Sequence, residues 1–112
     1  MNFHDNKLWQ ESYVALMDIY TYLDDVDEDV KEQEEETVES LVLSSQEVAA
    51  KIADGLSRLD KRLGKELLFD AIGLIAVVRT QLAIAWGRGI IDDENFRAID
   101  EKYQTLATNL QK

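Results

Sequence analysis

The chain has 112 residues, with 12 Lys and Arg against 23 Asp and Glu for a formal net charge of −11, and it contains neither cysteine nor proline. Without cysteine there is no disulfide scaffold, thiolate metal site, iron–sulfur cluster or cysteine nucleophile. The single histidine, His4, rules out paired-histidine zinc sites and argues against a Ser/His/Asp triad, while 46% hydrophobic residues suffice to bury the core of one domain over residues 1–112.

In chain order, the opening residues Met1–Asn6 have no basic region followed by an apolar run, so no secretory signal is expected and a cytoplasmic location is the default. Trp9, Tyr13, Leu16, Tyr20 and Leu23 then recur at spacings of 4, 3, 4 and 3, which predicts an amphipathic helix with that seam inward. Residues 24–36 follow, with nine acids and one lysine. Asp25, Asp27, Asp29 and Glu36 fall at positions 1, 3, 5 and 12 of a calcium loop. Position 6 is Val30, where the sharp turn requires glycine, so a solvated acidic connection is expected instead.

A second helix is predicted over roughly 37–57 from Val38, Leu41, Val42, Val48, Ile52 and Leu56, with small residues among them that permit close helix approach. A turn holding Arg58, Lys61, Arg62 and Lys65 forms the one basic cluster. Its functional reading is phosphate or nucleic-acid contact, and its plain reading is a surface turn paired with nearby or neighbouring acids. The third helix, roughly 61–86, is a rod of about 40 Å. Leu67, Ile75, Val78 and Leu82 suit a bundle core, whereas Phe69, Leu74, Val77 and Ile84 point elsewhere and form a candidate oligomer interface. Asp70, Arg79, Thr80 and Gln81 interrupt its apolar run, which disfavours a membrane span. Arg79, Thr80 and Gln81 either set register and subunit pairing or lie on the least buried face.

Gly87 and Gly89 supply a helix stop, and Asp92 or Asp93 an N-cap for a fourth helix carrying Phe96, Ile99, Tyr103, Leu106 and Leu110. Trp9 and Trp86 fit the apolar periodicity as packing anchors. A di-iron bundle needs Glu-x-x-His pairs, and none exists. The sequence thus predicts an all-α, up-down four-helix bundle with surplus apolar surface, no catalytic set and no cofactor. A self-associating scaffold or adaptor for a protein partner is the leading expectation, and a nucleic-acid-binding accessory protein the alternative.

Lys7-Leu8-Trp9-Gln10, Ile52-Ala53-Asp54-Gly55, and Thr80-Gln81-Leu82-Ala83-Ile84-Ala85 followed by Gly89-Ile90-Ile91 resemble, in order and separation, the four-helix bundle proteins encoded in 23S ribosomal RNA intervening sequences. That family is in turn similar to the accessory variability determinant of diversity-generating retroelements. The resemblance implies a ring-like homopentamer and an RNA association or a reverse transcriptase as protein partner; no membrane partner is expected, from the interrupted apolar run and the net charge of −11. The chain departs from the family pattern at Val48-Ala49-Ala50-Lys51, where Ile-Pro-x-Asn is usual, and at Val42-Leu43, where a basic pair is usual.

The charge is unevenly placed. Residues 1–56 hold 3 bases and 15 acids, whereas residues 57–112 hold 9 bases and 8 acids. An acidic connection facing a basic turn of a neighbouring subunit is one expected use of that polarity.

Overall fold

The computed structural model describes residues 2–112 and is all-helical there. After a short 3-10 turn at Phe3–Asp5 come α1 (Lys7–Asp24), α2 (Glu28–Gln33), α3 (Glu35–Ser57), α4 (Lys61–Gly87) and α5 (Asp93–Leu110). Four are long, and they pack into a body of 46 × 20 × 20 Å. Each long helix packs against its neighbour in sequence, α1 closes against α5, and α3 with α4 make the most extensive contact.

Side chains set the helix ends. Asn6 starts α1 by accepting the Leu8 amide at 2.8 Å. Asp60 caps α4 through the Arg62 and Leu63 amides at 3.0 and 3.2 Å. Asp92 is the cap of α5, accepting the Asn95 amide at 2.8 Å, and Asp93 and Glu94 lie in the first turn, where the helix dipole favours acids. Gly87 does not stop α4 but belongs to its last turn. The stop is Gly89, whose φ of +78° is open to glycine, and the Ile90 amide returns to the Ala85 carbonyl at 2.9 Å as the chain leaves the helix.

The core joins Ala15, Ile19 and Leu23 of α1, Leu41, Val48 and Ile52 of α3, Ile75, Val78 and Leu82 of α4, and Ile99, Tyr103 and Leu106 of α5, closed at one end by Ile90 and Ile91. On α5 the predicted seam is buried except for half-buried Phe96. On α1 the seam is one position out of phase: Ser12, Ala15, Ile19 and Leu23 are buried, while Tyr13 is exposed and Leu16 and Tyr20 are half-buried. The buried positions on α1 include the small Ser12 and Ala15, whose size lets that helix lie close to the core and leaves the bulkier Tyr13, Leu16 and Tyr20 toward the rim. The aromatic residues of α1 sit at the rim, where their polar tips find partners: Tyr20 Oη accepts from Gln46 and Tyr22 Oη accepts the Asp92 amide.

The acidic stretch also differs from the connection expected. Six of its residues form α2, and α3 begins at Glu35, two residues before the predicted start. Val26 and Val30, spaced by four, lay their side chains against the core and give the acids an anchored base. Val30 is therefore helical, a conformation in which Asp25, Asp27, Asp29 and Glu36 do not wrap a common centre.

Near the α3–α4 turn the two backbones touch. A Cβ built on Gly64 would stand 2.6 Å from the Gly55 carbonyl oxygen, and one on Gly55 would stand 2.9 Å from that of Gly64. Only glycine fits either position without moving a helix.

Candidate interaction surface

α4 has 27 residues and spans about 40 Å. Its inward stripe is Gly64, Ala71, Ile75, Val78, Leu82 and Ala85. At about 100° per residue, the opposite side carries Phe69, Gly73, Ala76, Val77, Thr80, Ala83, Ile84 and Gly87, all of them exposed. Phe69, Val77 and Ile84 remain 51%, 45% and 42% accessible. The stripe holds no charge over about 27 Å. Its one hydroxyl, Thr80 Oγ1, turns back to the Ala76 carbonyl at 2.9 Å, so it presents little polarity outward.

The charges of this region flank the stripe. Arg79 lies on the α5 side, where Nε and Nη2 donate to Asp100 at 2.8 and 3.0 Å, a forked pair that joins α4 to α5 and raises the guanidinium above its ordinary value chiefly through those hydrogen bonds. Of the two readings of Arg79, the pairing shows a register contact within one chain. Asp70 is exposed on the opposite flank. Leu74, grouped with the outward residues on sequence, is corrected: it is half-buried against the core and lines a shallow site with Glu47, Ala50, Lys51 and Asp54 of α3. Five residues beyond Phe69, it is turned by about 140° and faces α3 instead of solvent. Trp86 is less enclosed than a packing anchor should be, at 45% accessible, but it stacks on Phe96 with centroids 4.9 Å apart and donates from Nε1 to Asp93. Trp9 is half-buried, stacked on Tyr13 and edge-on to Phe3 and His4.

The basic turn separates into two parts. Arg58 is held by Asp54 through two hydrogen bonds of 2.8 and 3.2 Å, which raise the guanidinium and lower the carboxyl. Lys61, Arg62 and Lys65 are exposed and form no ion pair among the described residues. Leu59 is 100% accessible at the tip and Leu63 is exposed beside it, two apolar residues that the charge pattern conceals in the sequence. Arg62, Lys65 and the acid Glu66, all exposed, lie on the same side of α4 as the stripe, seven, four and three residues before Phe69.

At the other end of the stripe the surroundings are acidic. Ile84 shares a groove of about 420 Å³ with Gln33, Glu34, Glu36, Thr37 and Arg88. Arg88 grips Glu34 at 2.6 and 2.9 Å and lowers that carboxyl's pKa by hydrogen bonding, while Glu36 has no basic partner among the described residues. Asp93 lies on the α5 side beside Trp86.

Elsewhere the surface is less pointed. A larger groove of about 660 Å³ between α1 and α5 is lined by Val14, Ala98 and Thr105 together with Lys7, Lys102, Glu11 and Glu101, so no single charge is favoured there. Among the described residues no group of three His, Asp or Glu side chains could hold a metal ion. Tyr103 has the strongest perturbation: burial pushes its hydroxyl up to about 12, with the nearby Asp18 charge adding. Its Oη makes no hydrogen bond, because the neighbouring Ser45 hydroxyl donates instead to the Leu41 carbonyl at 2.7 Å. Tyr103 lies inside the core and faces no cleft.

No family model matches the chain, and neither a curated protein nor a solved structure does. α4 is long and apolar enough to cross a membrane, and its hydropathy comes from having apolar residues on both its core-facing and solvent-facing sides.

Proposed function

We propose that this protein is a non-enzymatic, self-associating up-down four-helix bundle that serves as a scaffold or adaptor for a protein partner. The uncharged, exposed stripe from Phe69 to Gly87 carries the reading, because a helix packed on one side has no need of apolar residues on the other. A ring of five is the assembly implied by the resemblance to the intervening-sequence bundles, and a reverse transcriptase is the kind of protein partner implied by the retroelement relative. Light scattering over a wide concentration range tests the reading, with multiples of the 12.8 kDa chain expected. A monodisperse monomer throughout refutes self-association. Val77→Glu places a charge at the middle of the stripe and is expected to leave a folded monomer.

The basic turn supports a second reading as a nucleic-acid-binding accessory protein. Three unpaired bases, Lys61, Arg62 and Lys65, are available to phosphates, and Arg58 is already committed to Asp54. This reading requires RNA or DNA binding that weakens with salt and disappears on reversal of those three charges. Absence of binding at low salt removes it.

A further inference from the structure

We infer that Leu59, at the basic end of the bundle, seats in an apolar socket at the acidic end of another copy, so that assemblies of this chain stack head to tail. The inference rests on the self-association proposed above and adds a second contact, at the ends of the body and apart from the stripe.

The tip comes from the three-residue turn between α3 and α4. Leu59 is fully exposed there, and Leu63 is exposed one helical turn further on. The fold has no use for that leucine: Asp60 caps α4, Arg58 holds Asp54, and a side chain wholly in water buries no apolar area in its own chain. Its surface becomes favourable only when something covers it.

The socket is a site of about 260 Å³ whose lining includes Tyr22, Val26, Val30 and Ile90, with Asp25 and Asp27 as its acids. It is large enough for the branched side chain of one leucine. Tip and socket lie at opposite ends of the α3–α4 pair, because Gly55 meets Gly64 beside the tip whereas Arg88 reaches Glu34 beside the socket. About 40 Å of α4 separates them, so no chain fills its own socket.

Charge favours this pairing. Residues 58–66 hold four bases and two acids; Arg58 is committed to Asp54, and Asp60 to the α4 amides. That leaves Lys61, Arg62 and Lys65 against Glu66, and the chain ends beside them add Lys7 and Lys112 against Asp5. At the socket, residues 24–36 hold nine acids and Lys31, and residues 88–94 hold three acids and Arg88. Both of those bases are already paired, Lys31 with Glu28 and Arg88 with Glu34. Tip-to-tip or socket-to-socket contact brings like charges together, whereas tip-to-socket contact brings opposite ones. Most of the net charge of −11 lies at the socket end, so a head-to-tail stack keeps the acids of successive copies a body length of 46 Å apart. That is well beyond the Debye length of about 10 Å at 0.1 M salt.

Symmetry makes the end contact compatible with a ring. Contact along the α4 side sets copies side by side, and in a ring all of them point the same way, with every tip on one face and every socket on the other. One end is a face of 20 × 20 Å, about half of the roughly 800 Å² that a standard interface covers per partner. A single tip therefore holds weakly, and several held together bind far more tightly. The contact is heterologous, joining ring to ring without changing the number of chains in each.

Sedimentation velocity of the wild type tests the inference. At about 0.1 M salt, whole multiples of the side-by-side assembly are expected; at about 1 M salt they should fall back to that assembly, whose stripe is uncharged. Leu59→Ser should weaken stacking by at least about tenfold and leave the side-by-side assembly intact. Joint reversal by Lys61→Glu, Arg62→Glu and Lys65→Glu should do the same, and stacking should return on mixing with a chain carrying Asp25→Lys and Asp27→Lys. The absence of native cysteine permits a direct reading. Leu59→Cys and Asp27→Cys proteins, each shown to be helical by circular dichroism, are mixed and oxidised, and mass spectrometry should find position 59 of one chain joined to position 27 of the other. A side-by-side assembly with no larger species, stacking that survives Leu59→Ser, or links that join 59 only to 59 overturns the tip and socket and leaves self-association standing. A wild-type monomer at every concentration overturns both.

Discussion

Replacing Gly64 by alanine tests the close approach of α3 and α4. The added Cβ would stand 2.6 Å from the Gly55 carbonyl oxygen, and relaxed C···O contacts lie near 3.3 Å, so α3 and α4 must part by about 0.7 Å at that crossing. A gap of that size forfeits roughly a quarter to a half of the dispersion energy of each contact it opens. The obstacle is backbone, which cannot rotate away, so the cost belongs near the upper end of overpacking penalties, about 3 kcal/mol. Alanine returns about 1 kcal/mol through its better helix propensity, leaving a net loss of about 2 kcal/mol. Thermal unfolding followed by circular dichroism should register a fall in Tm of about 8–12 °C. Gly73→Ala is the control: nothing lies within 4 Å of its Cβ, so only the propensity gain remains and Tm should rise by a few degrees. Both are made on the Val77→Glu background, expected to be a folded monomer, because Gly73 belongs to the stripe proposed to associate. If Gly64→Ala melts at or above that parent, or if both substitutions lower Tm equally, the close approach at Gly55 and Gly64 does not hold the α3–α4 pair as argued.

Tyr103→Phe removes a buried hydroxyl that has no partner, so stability at neutral pH should be unchanged or higher by up to about 1 kcal/mol in chemical denaturation. The same residue sets an alkaline limit. Its native pKa of about 12 lies above the unfolded value of 10.0, so between those values the native state binds more protons; its contribution is complete below pH 10 and declines by about 1.4 kcal/mol per pH unit up to pH 12. Denaturation at pH 9, 10, 11 and 12 should show that decline in the wild type and a shallower one in Tyr103→Phe. Arg79→Ala should cost about 1 kcal/mol, a figure already reduced for the partial exposure of the pair, and a double-mutant cycle with Asp100→Ala should recover most of it as coupling. Asp60→Ala uncaps α4 and should cost about 1 kcal/mol, read from the urea midpoint at an unchanged slope.

The helices that the sequence made plain are those whose burial follows large aliphatic residues. Ile99, Tyr103, Leu106 and Leu110 on α5, and Ile75, Val78 and Leu82 on α4, are buried as their spacing predicts. α1 was misphased because spacing alone favours bulk, whereas the buried face of that helix takes the small Ser12 and Ala15 beside Ile19 and Leu23. The acids of 24–36 masked α2, whose one apolar residue is Val30, with Val26 in the turn just before it. Three of the four outward residues on α4 could be placed because charge is missing from both sides of that helix; Leu74 could not, because its position is decided by where α3 lies. Arg79 with Asp100 and Arg88 with Glu34 join residues 21 and 54 positions apart, and a single sequence gives no sign of such partners.

The seam between α1 and α5 has a topological consequence. Asn109, in the last turn of α5, donates from Nδ2 to Glu11 in the first turns of α1 at 3.1 and 3.2 Å, so residues 2 and 112 lie at the same end of the body, the end that also holds the exposed Leu59 turn. A short flexible linker could therefore join the two, and the chain could be reopened at Leu59 with little loss of packing. Such a circular permutant would begin at α4, keep the same neighbours around the core and leave the stripe on α4 uninterrupted.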